Sequence, residues 1–286
     1  MITKLRQAMI DAMLVRGFAA RTHKSYLYAV ADLAKYYHRS PEQLNTGEIQ
    51  AYFLYLVKER HLAPASCRLA LNGIRFLYLA VLHREFEAKI QVPKRPQRIP
   101  ELLTRQEVAA ILDACINRKH RMLLTICYAC GLRVSELVNL KVRDIDGERQ
   151  LLRIDQGKGA KDRMVEIPET LLLQLRQYWQ LFRPTECLFP GRAPATALGV
   201  TSAQKCFKES KCKAGVDKVG GIHSLRHAYA THQLVAGMPI TTLQHQMGHR
   251  DIHSTLRYVH WIPNYRGGDS GTDLLADLEA DHEQEK

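Results

Sequence analysis

Residues 121–137 of the 286-residue chain are RMLLTICYACGLRVSEL. This stretch predicts a buried helix from Arg121 to Cys130 that ends at Gly131, a residue suited to the turn that closes a helix. Its near-apolar run, Met122 to Leu132, is well short of the roughly 20 residues that cross a bilayer. The stretch therefore indicates the helical core of a globular protein and argues against a membrane-spanning one.

The cysteines are predicted to be reduced thiols. Seven of them are spread over a chain too long for a disulfide-stapled mini-domain. Cys127 and Cys130 have the spacing of a metal or redox pair, but they lie in a helical stretch without a second such pair. Helix packing is the favoured interpretation and zinc is the alternative. Because the amino terminus lacks the apolar core of a signal peptide, we expect a cytosolic protein.

The charge of the chain favours a polyanionic partner. Lys and Arg number 41 against 29 Asp and Glu, which gives a formal net charge of +12. Residues 1–98 and residues 99–268 each carry +9, whereas residues 269–286 carry −6. This excess favours nucleic acid first and an anionic membrane second. Charge alone does not identify the function.

Residues 1–88 predict a compact unit of four short helices. Helical spacing marks the first two, a capping box at Asn45 to Glu48 opens the third, and Pro64 begins the fourth. Basic residues interleaved with tyrosines make this unit a candidate DNA-binding domain, with solvated helix faces as the simpler alternative. The candidate DNA contacts in this unit are Arg21, Lys24, Arg68 and Arg75.

A linker is predicted over residues 89–101. Three prolines and four basic residues between positions 89 and 100 oppose a regular helix and favour an extended cationic segment. Lys94 and Arg95 are candidate DNA contacts there, and a plain tether is the alternative. We place the domain boundary at this linker.

Residues 102–262 predict a second domain, mostly helical with one small sheet. Thr104 to Glu107 form a capping box, and two strands, Gln150 to Gln156 and Arg163 to Pro168, are joined by a tight turn. Later helices are predicted at 169–182, 201–214, 223–236, 241–247 and 254–260. The expected fold class is mainly α with a small antiparallel β-sheet in two domains, followed by an acidic tail at 263–286.

Five ordered motifs resemble the tyrosine site-specific recombinases, which include phage integrases, Xer-type recombinases and integron integrases. The motifs are Gly131 to Leu137, Gly157 to Arg163, His223 to His227, Gly248-His249 and Ser254 to His260. The intervals also match, with 25 residues from Arg133 to Lys158 and 9 from His249 to Tyr258. The resemblance covers about residues 1–262 and implies a helical, SAM-like core-binding domain before a catalytic domain.

The resemblance implies a set of catalytic residues. Tyr258 is the implied nucleophile, Arg133 and Arg226 would hold the scissile phosphate, and His223 and His249 would complete the pocket. Guanidinium groups suit this task because they bind phosphate oxygens bidentately. Attack would give a 3′-phosphotyrosyl enzyme that another strand's 5′-hydroxyl reseals, so no ATP, metal or other cofactor is expected.

Supporting roles follow from the same motifs. Lys158 is expected to protonate the departing 5′ oxygen, and His223 to accept the tyrosine proton. Glu136 either orients Arg133 or is a surface acid, and Lys161 and Arg163 are expected to touch phosphates. The remaining histidines of these motifs, His227 and His260, are expected to pack or form hydrogen bonds and not to react.

The expected partners are double-stranded DNA sites and further copies of the chain. The chain lacks the insertion before His223 with which integron integrases grip single-stranded sites, so duplex sites are favoured. A homo-tetramer on DNA is expected, without membrane association, and the tail either docks on a neighbouring subunit or is disordered.

Three alternative functions and one alternative nucleophile remain open. The chain could be an idle DNA-binding accessory protein on the same scaffold, or it could relax single strands as a type IB topoisomerase does. His223, His227 and His232 could instead form a zinc site, although no HExxH glutamate accompanies them. Tyr265 is a rival nucleophile, disfavoured by its longer interval from His249 and by Pro263.

Overall fold

The computed structural model describes residues 3–86, 90, 100–155, 162–193 and 195–262. The chain divides into two compact units, Met1–Arg98 and Ile99–Lys286. Several predictions lie outside the described residues. They concern most of the linker with Lys94 and Arg95, the hairpin turn with Lys158 and Lys161, Tyr265, and the tail at 263–286.

The first unit contains four α-helices in the part of the chain that the structure describes. They are α1 Lys4–Val15, α2 Ala20–Tyr37, α3 Thr46–Lys58 and α4 Pro64–Phe76. A 3-10 turn, Pro41–Gln43, precedes α3, and α4 continues into a π-helical turn, Leu77–Val81. The four predicted helices are therefore confirmed.

Local sequence explains where α3 and α4 begin. The Asn45 side chain accepts the backbone N–H of Glu48, while the Glu48 carboxylate accepts that of Asn45, each at 2.9 Å. This capping box satisfies two N–H groups that a helix start leaves without partners. Pro64 stands at the first position of α4, where a missing N–H has no cost. Both predicted starts are confirmed.

The second unit combines a small sheet with helices. Its helices are α5 Arg105–Asp113, α6 Arg118–Ala129, α7 Val134–Val138, α8 Glu169–Phe182, α9 Val200–Lys213, α10 His223–Val235, α11 Ile240–Met247 and α12 His253–Val259. Its strands are β1 Ile145–Asp146, β2 Leu151–Ile154 and β3 Arg163–Glu166. Leu123, Leu137 and Val165, from two helices and one strand, lie in one continuous hydrophobic core.

The sheet has three antiparallel strands in the order β1-β2-β3, whereas the sequence predicts two. Leu152 of the central strand pairs with Ile145 on one side and Val165 on the other. β1 escapes prediction because two residues are too few to show an alternating pattern. Along β3, Arg163 and Val165 are buried and Met164 is exposed, because successive side chains point to opposite faces.

The helix predicted from the opening stretch is α6, and it is buried. Cys127 and Cys130 are at most 1% exposed, and the Cys127 thiol lies 3.7 Å from the carbonyl oxygen of Leu132. Burial raises the pKa of both thiols to about 12. These are packed thiols, as the favoured interpretation predicts. In the described ranges, no helix has the length and apolar character needed to cross a bilayer.

Candidate active site

Five of the six predicted catalytic residues meet in the second unit. They are Arg133 before α7, His223 and Arg226 in α10, His249 after α11, and Tyr258 in α12. Helices α10, α11 and α12 contact one another, which brings distant parts of the sequence to one place. Lys158, the sixth, lies outside the described residues.

Arg226 is buried at the centre of this site. It is 4% exposed, and its guanidinium donates to the carbonyl oxygens of Gly131 at 2.5 Å and Met247 at 2.6 Å. Burial, followed by the charge of Arg133, lowers the pKa of Arg226 to about 10. A guanidinium with this pKa is still charged at neutral pH, so the site holds a full positive charge in its interior.

Glu136 holds Arg133 in place. Its carboxylate accepts the backbone N–H of Arg133 at 2.9 Å and a guanidinium N–H at 2.7 Å. Arg133 also donates to the carbonyl oxygen of Gly248 at 2.9 Å. A guanidinium has five N–H donors, so Arg133 keeps donors for an anion. Because the Glu136 side chain is 6% exposed, the orienting role is favoured over that of a surface acid.

Arg163 is not the phosphate contact that the sequence predicts. Its side chain is 6% exposed and donates to the two carboxylate oxygens of Glu136 at 3.0 and 2.8 Å. It also donates to the carbonyl oxygen of Gln246 at 3.0 Å. The alternation of side chains along β3 turns Arg163 inward, where its charge is paired. Arg163 therefore supports Arg133 through the carboxylate that they share.

Two glycines let the backbone approach these arginines. Gly131 ends α6 with φ +59°, and a Cβ there would lie 2.3 Å from the Tyr229 ring. Gly248 ends α11 with φ +61°, and a Cβ there would lie 2.8 Å from Nη1 of Arg163. Only glycine combines a left-handed backbone with such close contact. Gly131, the predicted helix end, and Gly248 also present their carbonyl oxygens to Arg226 and Arg133, respectively.

His249 connects Arg226 to α12. Its Nε2 lies 3.0 Å from Nη2 of Arg226, and its Nδ1 lies 2.9 Å from the hydroxyl oxygen of Thr255. Because a guanidinium only donates, Nε2 must accept and the proton is assigned to Nδ1. Burial, followed by Arg226, lowers the pKa of His249 to about 3, so the ring is neutral at physiological pH.

Thr255 is a site residue that sequence reasoning missed. It is fully buried and accepts the Nδ1 proton of His249, which fixes the orientation of the imidazole. The available signal was its position three residues before Tyr258, on the same face of α12. Thr255 lies inside the motif Ser254 to His260, but it is uncharged, so the sequence did not mark it as a site residue.

Tyr258 is 3% exposed, and its hydroxyl contacts a histidine. The oxygen lies 3.0 Å from Nδ1 of His227, a residue that the sequence predicts to pack or form hydrogen bonds. The Tyr258 ring stacks parallel to His249, with 6.2 Å between centroids, and meets Trp261 edge-on at 5.0 Å. Burial raises the pKa of Tyr258, and Arg226 is the largest opposing influence.

His223 occupies a different position in the site. It is exposed at the first residue of α10, and among the described residues it makes no hydrogen bond to the Tyr258 hydroxyl. The atoms packed around one side of the ring partly desolvate it, and this, followed by the charges of Arg226 and Arg133, lowers its pKa. His223 therefore lies close to both arginines and at the solvent side of the site.

The predicted DNA contacts of the first unit are accessible. Arg21 and Lys24 are exposed on α2, and Arg68 and Arg75 are exposed on α4. These two helices pack together. Exposure is what a phosphate contact needs, and the role of these four residues stays a prediction.

The zinc alternative finds no support among the described residues. His227 contacts Tyr258, and Nδ1 of His232 lies 2.9 Å from the Tyr128 hydroxyl. In the same ranges, no three His, Cys, Asp or Glu side chains are grouped to hold a metal ion.

The sequence matches two family descriptions. Residues 101–264 match the Phage integrase family, and residues 5–88 match the SAM-like N-terminal domain of phage integrases. A putative integrase/recombinase, y4qK, of Sinorhizobium fredii is 40% identical over 266 residues, covering 92% of this chain and 86% of the relative. Tyrosine recombinase XerD of Proteus mirabilis is 32% identical over 279 residues, covering 90% and 88%.

Solved structures share the fold. The Tn1549 transposon integrase in complex with transposon right-end DNA has a TM-score of 0.72 at 17% identity, covering 97% of this chain and all of that one. A lambda integrase dimer bound to a core site has the same TM-score and identity, covering 87% and 95%. The expected fold class, mainly helical with a small antiparallel sheet, is confirmed. By fold and sequence, the chain belongs to the phage integrase family, the tyrosine recombinases of site-specific DNA recombination.

Proposed function

We propose that this recombinase cuts and rejoins duplex DNA through a 3′-phosphotyrosyl intermediate on Tyr258. The position of the tyrosine hydroxyl carries the proposal. It contacts His227 and lies beside the buried, charged guanidinium of Arg226. A phenol with a raised pKa needs both a proton acceptor and nearby positive charge to attack phosphorus at neutral pH.

The arginines would stabilise the charge that develops during attack. Phosphodiester transfer places negative charge on the non-bridging oxygens, and Arg133 and Arg226 are already fixed by backbone carbonyls and by Glu136. Donors held in advance cost no reorganisation at the moment of reaction. Arg133 and Arg163 share the single carboxylate of Glu136, and the guanidinium of Arg226 is held by carbonyl oxygens, so the three arginines leave an excess of positive charge for a phosphate.

The remaining residues would complete the phosphate pocket and the proton transfers. His223 lies close enough to Arg226 and Arg133 for their charges to lower its pKa, and we assign it with His249 to the phosphate. Lys158 would protonate the departing 5′ oxygen, a task suited to an ammonium group on a long side chain.

The proposed substrate is a pair of double-stranded recombination sites, and the proposed assembly is a homo-tetramer on them in the cytoplasm. The charge of +9 on each of the two sequence segments supports phosphate binding by both. Contacts to phosphates would make binding strongly salt-dependent. Arg21, Lys24, Arg68 and Arg75 are the proposed contacts of the first unit.

Trapping the covalent intermediate tests this function. Nicked duplexes that tile the DNA flanking the gene release a short strand after cleavage, so the phosphotyrosyl bond persists and survives SDS. We expect wild-type protein to give a covalent band on some fragments. Tyr258→Phe should bind the same fragments in gel shifts and give no band.

Tyr128→Phe is the matched control, because it removes another tyrosine hydroxyl that contacts a histidine. It should keep the covalent product. A covalent band from Tyr258→Phe that disappears in Tyr265→Phe would transfer the role to Tyr265. Site binding by wild type without any covalent product would support the idle accessory protein, and relaxation without strand exchange would support a topoisomerase.

A further inference from the structure

The residue that contacts the Tyr258 hydroxyl is His227. Its Nδ1 lies 3.0 Å from the hydroxyl oxygen, the imidazole is tilted by 49° to the phenol ring, and Trp261 meets the imidazole edge-on at 5.6 Å. His227 and Tyr258 are thus fixed against each other by a hydrogen bond and by a shared aromatic neighbour. His223, one helical turn earlier and exposed, has no such contact among the described residues.

The direction of this hydrogen bond follows from the neighbouring charges. Burial, followed by His223 and Arg226, lowers the pKa of His227 to about 4, so the imidazole is neutral at physiological pH. Arg226 faces the same phenol oxygen and can only donate. An oxygen that accepts from the arginine side keeps its own proton for Nδ1, and we assign the imidazole proton of His227 to Nε2 on this basis.

We propose that His227, and not His223, accepts the proton of Tyr258 when its oxygen attacks the scissile phosphate. The inference rests on the proposed function. In the step, the Oη–P bond forms, the P–O5′ bond breaks, and the phenol proton moves to Nδ1. The leaving O5′ takes a proton from the general acid assigned above, Lys158. Rejoining reverses each transfer, so the histidine returns its proton to the tyrosine.

The timing of the transfer follows from the same surroundings. In the free protein, phenolate and imidazolium are both unstable, because the pKa of Tyr258 is raised and that of His227 is lowered. The proton therefore moves only as the new bond to phosphorus draws charge from Oη. A bound phosphate also offsets the repulsion from Arg226, which makes the imidazole a better acceptor.

Two His227 variants and one control test this proposal on the duplex identified by trapping. His227→Phe keeps a ring against Trp261 and removes the acceptor, whereas His227→Asn keeps an acceptor oxygen near Nδ1 that takes no proton. His232→Phe breaks the equivalent contact with Tyr128 five residues further along α10. Single-turnover cleavage is measured for each protein, with DNA binding and thermal unfolding measured beside it.

We expect both His227 variants to cleave at least about 100-fold more slowly at pH 7, the usual scale for a lost proton acceptor. Their rates should rise about tenfold per pH unit up to pH 9, as solvent takes over the proton, while the wild-type rate stays flat. His232→Phe should cleave at the wild-type rate.

A duplex with a 5′-bridging sulfur at the cleavage site separates the two proton transfers. Sulfur leaves without protonation, so it should restore cleavage by Lys158→Ala and leave the His227 variants slow. Rescue of the His227 variants by sulfur, a wild-type rate in His227→Asn, or a flat pH profile in both variants would overturn the proposal. Absence of covalent product from wild-type protein would instead overturn the proposed function itself.

Discussion

Replacing Glu136 with glutamine removes one negative charge from between Arg133 and Arg163 and changes little in shape. The carboxylate accepts four hydrogen bonds, between 2.7 and 3.0 Å, from the two arginines. An amide in the same place accepts through one oxygen only, and its nitrogen would face guanidinium donors. The buried guanidinium of Arg163 and the partly buried one of Arg133 would then lose the negative charge that they share.

The structure gives the size of the expected loss. Burial alone would raise the pKa of Glu136, but the hydrogen bonds and charge of Arg163, and then of Arg133, lower it to about 2 from 4.5. That difference corresponds to about 3 kcal/mol. Breaking a buried ion pair from one side costs about 3–5 kcal/mol in general, which agrees. We therefore expect Glu136→Gln to lower the free energy of unfolding by about 3 kcal/mol.

Urea unfolding followed by tryptophan fluorescence measures this loss. The two tryptophans of the chain, Trp179 and Trp261, lie in the second unit, so the signal reports the unit that contains Glu136. Glu209→Gln is the matched control, because Glu209 pairs with Lys205 on an exposed helix face. It should lose less than about 1 kcal/mol. A loss from Glu136→Gln as small as the control's would refute the reasoning.

Two further predictions concern backbone geometry and pH. Gly131→Ala places a Cβ against the ring of Tyr229 at a residue with a left-handed backbone. It should lower the free energy of unfolding by about 2 kcal/mol more than Gly237→Ala, where φ is +89° and nothing lies near the added Cβ. Equal losses in urea unfolding would contradict this. His227 and His249 have a pKa lowered to about 4 and about 3, so both stay neutral in the folded protein while the unfolded chain takes up protons below about pH 6.5. The contribution of these two histidines to the free energy of unfolding should be fully present above pH 6.5 and should be lost as the pH falls from 6.5 to 4. The expected loss at pH 5 is at most about 2 kcal/mol for each histidine. Urea unfolding curves that coincide at pH 7.5 and pH 5 would contradict this prediction.

Much of the fold is readable from sequence because its signals are local. The capping boxes Asn45–Glu48 and Thr104–Glu107 involve partners three residues apart, and both form as predicted. Gly131 and Gly248 end helices because of a backbone conformation that only glycine adopts easily. β1 escaped prediction for the opposite reason, since two residues pair in a sheet only when β2 is already beside them.

For the candidate site too, the sequence determines some features and leaves others to the tertiary structure. The sequence by itself determined which residue types stand at the five motifs and in which order, and this was enough for the family and for the nucleophile that we propose. It did not determine their contacts. Arg163 and Lys161 were alike as phosphate contacts in sequence, yet the strand face that buries Arg163 sends its guanidinium to Glu136, 27 residues away.

Which histidine meets Tyr258 was decided only by tertiary structure. His223 and His227 are four residues apart on α10, and either could face α12 until the two helices pack. Packing places His227 against a tyrosine 31 residues later and leaves His223 exposed beside the arginines. Likewise, Arg133 reaches the carbonyl oxygen of Gly248 across 115 residues. Hydrogen bonds act over about 3 Å, so only the packed helices determine which of the available donors and acceptors come together.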